Sequence, residues 1–120
     1  MKKKTLVLGA SLNPARYSYL AIERLTRYNQ PVVAVGLRKG EIFDVAIENE
    51  QIDFKDVHTI TLYLNAKRQT EYYDYILSLN PKRIIFNPGT ENPELYNLLR
   101  KNNIKFENAC TLVMLSCNQY

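Results

Sequence analysis

Tryptophan is absent from the 120 residues, and histidine occurs once, cysteine twice and glycine four times. Each scarcity removes a class of function. One histidine with Cys110 and Cys117 cannot furnish a four-ligand zinc set, nor the disulfide framework of a small secreted domain. The pair reads as two partly buried thiols in a reducing compartment. No apolar run approaches the ~20 residues that cross a bilayer. The lysines behind Met1 imitate the start of a signal peptide, but the apolar stretch over residues 6–10 is broken by Gly9 and meets Ser11 at once. A cytoplasmic protein with no membrane partner is expected. A Walker lysine and a G-x-S-x-G elbow are also missing, so no residue is assigned to catalysis or to a metal.

What is present is charge of both signs with an excess of one. Sixteen basic and twelve acidic side chains leave +4, and three of the positive charges are the lysines at positions 2–4. No Lys/Arg stripe is interleaved with stacking aromatics, so nucleic acid is not an expected partner. The excess suits a small anionic ligand.

The hydrophobic pattern alternates between two periods. Residues 5–8 form an apolar run without polar alternation and end at Gly9, as a parallel strand buried on both faces does. Tyr17, Ala21, Leu25 and Tyr28 then share one helical stripe with Leu20 beside it, and Pro31 stops the helix. Residues 32–35 give a second strand, ending at Gly36. Residues 38–57 are the least legible; positions 41–47 partly alternate, as a short edge strand or an irregular excursion. Residues 59–64 give a third strand. A helix over 69–79 turns Tyr72, Tyr73, Ile76 and Leu79 inward, and residues 83–86 give a fourth strand. A helix over 92–102 carries Leu95, Leu98 and Leu99 on its apolar face, residues 105–107 form a weak fifth strand, and 112–115 are an apolar run of either type.

Strands alternating with helices predict the α/β class: a single Rossmann-like three-layer domain over residues 1–120, with a mostly parallel five-stranded sheet in order 3-2-1-4-5. In that order strands one and four are neighbours at the topological switch point, where such sheets bind ligands. The loops at residues 9–16 and 87–92 are therefore expected to frame the crevice.

The first of these loops passes from Gly9 and Ala10 through Ser11, Leu12 and Asn13 to Arg16 and Ser18. A strand running through glycine into a helix N-terminus offers free amides and the positive end of the dipole, a ready phosphate site. A capped structural turn reads the same way, and the G-x-G-x-x-G signature is unmet because Ser11 and Pro14 replace the later glycines. After the second strand comes Gly36-Leu37-Arg38-Lys39 with no carboxylate until Glu41. An acidic residue at this place grips the ribose of NAD, so Arg38 and Lys39 disfavour NAD and suit a ribose phosphate, as in NADP or coenzyme A. Solvated surface cations are the alternative. In the fourth-strand loop, Pro88, Gly89 and Thr90 form a candidate wall, while Asn92, Pro93 and Glu94 read as helix-cap chemistry. Tyr63, Leu64 and Asn65 close the third strand near the expected base. His58 falls at the opposite, amino edge.

Three segments together, residues 9–18, 87–94 and 109–111, resemble the small stand-alone CoA-binding proteins of bacteria. Those are single Rossmann-like domains similar to the CoA-binding N-terminal domain of the succinyl-CoA synthetase α subunit, and the resemblance runs from Lys4 to about Cys117. It implies that Ser11, Leu12, Asn13 and Arg16 hold the phosphates of coenzyme A or an acyl-CoA. It further implies that Lys39, followed by Gly40, contacts the ligand, and that Tyr63, Leu64 and Asn65 line the site. The synthetase's phosphorylated histidine lies in a second domain, so the resemblance implies binding of a small nucleotide ligand without catalysis. Two departures stand out: Gly36-Leu37-Arg38 replaces the Asn-Pro pair of many relatives, and His58 stands where aspartate is frequent. A minimal NADP-dependent reductase and a regulatory protein with a vestigial site are the competing readings.

Overall fold

The computed structural model describes residues 2–120. Seven strands build its one sheet: β1 (Thr5–Ala10), β2 (Val32–Gly36), β3 (Gly40–Ile42), β4 (Val45–Glu48), β5 (Thr59–Leu62), β6 (Arg83–Phe86) and β7 (Lys105–Asn108). Their order is β3-β4-β2-β1-β5-β6-β7, and only β3 runs against the others. Five helices accompany them: α1 (Tyr17–Arg27), α2 (Ala66–Gln69), α3 (Tyr73–Leu79), α4 (Pro93–Lys101) and α5 (Thr111–Ser116), with a 3₁₀ turn at Thr70–Tyr72 joining α2 to α3.

The α/β architecture and the mostly parallel sheet agree with expectation; the strand count and order do not. The illegible segment folds as a β-hairpin, β3–β4, whose turn residues Phe43 and Asp44 both adopt positive φ, 51° and 62°. β4 then pairs in parallel with β2 and occupies the flank assigned to residues 59–62. That strand instead crosses to the other side of β1, pairing Thr5 with Thr59 and Leu8 with Leu62. The core order becomes β2-β1-β5-β6, so the switch point lies between β1 and β5, and β6 stands one strand further out.

Alternation along the strands divides the core between two faces. Leu6, Leu8, Ile60, Leu62, Ile84 and Phe86 pack with Ile76 and Leu79 of α3 and Leu95 and Leu99 of α4. Val7, Ala34 and Ile47 pack on the opposite face with Ile22 and Leu25 of α1 and Leu115 of α5. The stripe on α1 is rotated from expectation: Ser18, Ala21, Ile22 and Leu25 are buried, whereas Tyr17 and Tyr28 are exposed. Amphipathic tyrosines tolerate water, and Ile22 does not.

With four glycines in the chain, asparagine terminates the helices. Asn29, Asn80, Asn103 and Asn118 take φ of 62°, 46°, 56° and 57° at the ends of α1, α3, α4 and α5. After α1 the Gln30 amide donates to Leu25 O at 2.9 Å and the Asn29 amide to Thr26 O at 3.0 Å, and the same two-bond pattern closes α4 and α5. Each strand thus begins at a defined point after its helix, and the loops leaving β1, β2, β5 and β6 gather at the carboxyl edge.

Candidate functional site at the carboxyl edge

A cleft of about 780 Å³ opens over the switch point. Its floor is Gly9, where β1 turns out of the sheet with φ +98°. A Cβ at this position would stand 2.9 Å from the Tyr63 carbonyl carbon and 3.0 Å from Leu64 Cγ, so the turn can pass β5 only as glycine. Gly36 makes the matching approach from β2: a Cβ there would lie 2.1 Å from the Ala10 carbonyl oxygen.

The loop after Ala10 is shaped by its own side chains. Ser11 Oγ accepts the Asn13 amide at 3.0 Å, Asn13 Oδ1 accepts the Ala15 amide at 3.0 Å, and the Arg16 amide donates to Asn13 O at 3.0 Å. Leu12 packs over Gly40. Arg16 occupies the N-cap position of α1 and offers no side-chain acceptor, and no acidic residue sits in the first turn. The Tyr17 and Ser18 amides consequently find no acceptor among the described residues. Helix α4 is the contrast, because Asn92 Oδ1 accepts the Leu95 amide, Pro93 opens the first turn and Glu94 faces the dipole. One helix at this edge satisfies itself; α1 does not.

Fifteen of the sixteen predicted site residues line this cleft: Gly9 and Ala10 at the end of β1, Ser11, Leu12, Asn13, Arg16 and Ser18 from the loop after it and α1, Gly36 at the end of β2 and Arg38 beyond it, Tyr63, Leu64 and Asn65 beyond β5, and Pro88, Gly89 and Thr90 beyond β6. Lys39 does not line it; its Nζ stands 3.8 Å from Glu48 Oε1 on β4. The reading of the residues overlooked Tyr17, Leu37, Arg68, Glu71 and Tyr72, which also line it. Arg68 belongs to α2, which begins before the helix expected over 69–79, and Glu71 and Tyr72 belong to the 3₁₀ turn, which falls inside it.

Two buried amides hold the far wall. Gln69 Nε2 donates to Leu64 O at 2.7 Å and Thr90 O at 2.8 Å, and its Oε1 accepts from Asn92 Nδ2 at 2.9 Å. One side chain thereby ties the β5 loop, the β6 loop and the start of α4. Asn87 Nδ2 donates to Thr61 Oγ1 at 2.7 Å and Leu62 O at 2.9 Å, while its Oδ1 accepts the Thr111 amide at 2.9 Å. A polar residue on an apolar helical stripe, as Gln69 is, was the available sequence signal.

Arg16, Arg38 and Arg68 approach the cleft from three different elements, and none forms an ion pair among the described residues. Burial pushes the Tyr63 hydroxyl up to about 12, against the opposing pull of the neighbouring Thr61 and Thr111 hydroxyls. Partial burial and the Glu71 carboxylate raise the Tyr72 hydroxyl, which the Arg68 guanidinium opposes. His58 lies away from the cleft at the amino edge, where burial and the charges of Arg83, Lys3 and Lys82 lower its pKa.

A family model described as a CoA binding domain matches residues 3–116. The chain belongs to that family. A solved structure of an uncharacterized protein shares 49% identity with this CoA-binding domain, covering 100% of this chain and 99% of the other with a TM-score of 0.96. A hypothetical protein from Pyrococcus horikoshii OT3 (20% identity, 97% and 83% covered, TM-score 0.86) and cell-free ID.343 from Thermus thermophilus (19%, 99% and 91%, 0.87) share the fold. No curated protein matches the chain.

The cleft of this CoA-binding domain can attract and hold a phosphorylated ligand. Uncapped amides at a helix N-terminus bind phosphate oxygens directly, and unpaired arginines add charge-assisted hydrogen bonds. Its volume falls within the ~300–1,000 Å³ usual for small-molecule sites. The free thiols lie elsewhere, Cys110 half-buried at the start of α5 and Cys117 exposed at its end. No helix is long and apolar enough to cross a membrane among the described residues.

Proposed function

We propose that the protein binds coenzyme A or an acyl-CoA at the carboxyl edge of its sheet without catalysing a reaction of its own. The observation that carries this reading is the uncapped α1 N-terminus, whose free Tyr17 and Ser18 amides open beside Arg16. The ligand's diphosphate belongs there. Arg38, beyond β2, suits the phosphate on the ribose; Lys39, engaged with Glu48, has no part in it. The expected partner is therefore a small nucleotide ligand, with neither nucleic acid nor membrane involved, in a cytoplasmic setting that keeps both thiols free.

Calorimetric titration with CoA and dephospho-CoA tests the assignment. Arg38→Ala should weaken CoA about tenfold, the size of one charge-assisted contact, and leave dephospho-CoA nearly unchanged. Equal losses for both ligands would remove Arg38 from the ribose phosphate. Turnover of NADPH with carbonyl compounds would replace the binding reading with that of a reductase.

A further inference from the structure

The sheet ends in two strands that each have a free side, β3 and β7. Just beyond β7 the Ala109 amide donates to Phe86 O at 3.1 Å, so the alternate residues Phe106 and Asn108 turn their N–H and C=O groups away from β6. Lys105 and Glu107 are both exposed, on the opposite face of the sheet from Phe106. Neither forms an ion pair within 4.0 Å among the described residues. Phe106 is only half-buried although it continues the core. Its ring lies 5.7 Å from Phe86, stacks at 4.7 Å on Tyr96 and has the Arg100 guanidinium 5.4 Å from its centroid. An aromatic row thus runs from the interior of the sheet to its margin and stops there.

We propose that β7 is the seam of a homodimer, in which two copies pair antiparallel about a two-fold axis through Phe106 and continue the sheet across both chains. Phe106 exchanges its free N–H and C=O with the partner's Phe106, as the hydrogen-bonded pair at the centre of an antiparallel ladder. The same axis sets Lys105 opposite the partner's Glu107 and Glu107 opposite the partner's Lys105, so one short strand supplies two cross-strand ion pairs. The two Phe106 side chains meet on the α4 face and join the aromatic rows. A lysine on an edge strand ordinarily discourages such pairing. Here the glutamate two residues on turns that lysine into an attractive contact for an inverted copy. The β3 edge lacks this property. Its register joins Ile42 to Val45 by hydrogen bonds beside the two-residue turn, which leaves Glu41 as the residue with outward backbone groups. A two-fold there sets exposed Glu41 against the partner's Glu41, a repulsion. β7 contributes no residue to the cleft, so each copy keeps its own site.

Sedimentation equilibrium of the full chain across a concentration series should show a species of twice the 14.0 kDa chain mass. K105E and E107K each replace both attractive pairs with repulsive ones and should weaken the dimer by at least about tenfold. The doubly substituted K105E/E107K protein restores opposite charges with their places exchanged, and it should dimerise as the unsubstituted protein does. The two single variants change net charge in opposite directions, so a shared loss repaired by the double reports the seam rather than overall charge. Both side chains are exposed, so every variant should keep the circular-dichroism spectrum of the unsubstituted fold. A monomer at every concentration overturns the proposal. A dimer of equal strength in K105E and E107K overturns it as well, because the interface then lies elsewhere. So does a loss in the single variants that the double reversal leaves unrepaired.

Discussion

At Tyr63 a phenol oxygen is buried beside the cleft, with only the Thr61 and Thr111 hydroxyls near it and no well-formed hydrogen bond. An unsatisfied buried hydroxyl costs about 1–3 kcal/mol, so Tyr63→Phe should raise the melting temperature at neutral pH. The same residue sets an alkaline limit. Its pKa is about 12 in the fold against 10.0 unfolded, so its titration leaves stability unchanged below pH 10 and lowers it as pH rises from 10 toward 12. Chemical denaturation from pH 8 to 12 should show that loss, reduced in the Phe variant. Gly9 is the second residue on which the site turns. Gly9→Ala combines a positive φ with a clash against the Tyr63 backbone and should destabilise by about 2–4 kcal/mol in urea titration. A variant as stable as the original would mean the β1 turn is not held against β5.

Which residues would meet in the cleft was largely legible, because each sits where a buried apolar run ends at glycine or proline, and such ends share the carboxyl edge. Lys39 escaped the cleft for a reason invisible in the linear order: β4 brings Glu48 within its reach. Arg68 and Glu71 escaped notice because the apolar stripe reports the inward face of the helix over 69–79 and neither its earlier start at Ala66 nor the polar residues that face the cleft.

Among elements, the two helix N-termini at this edge divide structural from functional chemistry. α4 meets its own needs through Asn92, which also reaches Gln69 and Tyr73. α1 leaves its amides free at a cost in stability. Arg16→Asp supplies the missing cap and should stabilise the unliganded protein by about 1 kcal/mol. It also places a carboxylate at the proposed diphosphate site, so CoA affinity should fall by at least about tenfold. Thermal melts and titrations on one preparation would show the two effects moving in opposite directions. A stabilised variant with unaltered CoA affinity would contradict the role given to α1.

The elements themselves were recognisable from their periods, apart from one stretch. The β3–β4 turn is made by Phe43 and Asp44 in left-handed conformations, and neither residue pair nor spacing carries the Asn-Gly or Asp-Gly signature that announces such a turn. Alternation along a strand reports its buried faces and is silent about its neighbour. Hence residues 59–62 were recognised as a core strand yet placed beside β2 rather than β1. That single misplacement moved the switch point and, with it, the relation of the β5 and β6 loops to the crevice.

On the scale of the molecule, the fold presents a cleft with an excess of cationic side chains on the edge of a packed sheet. Two packed faces fix the strands, the loops at one edge are anchored to them, and the α1 N-terminus, three arginines and one glutamate line the cleft. The proposed function rests on that cleft being open and complementary to a phosphorylated carrier. Native mass spectrometry of the freshly purified protein, with CoA added, tests this most directly. The account predicts a complex heavier by the mass of one CoA per chain, diminished when phosphate-rich competitor is added. A spectrum showing only the free chain at saturating CoA would contradict it.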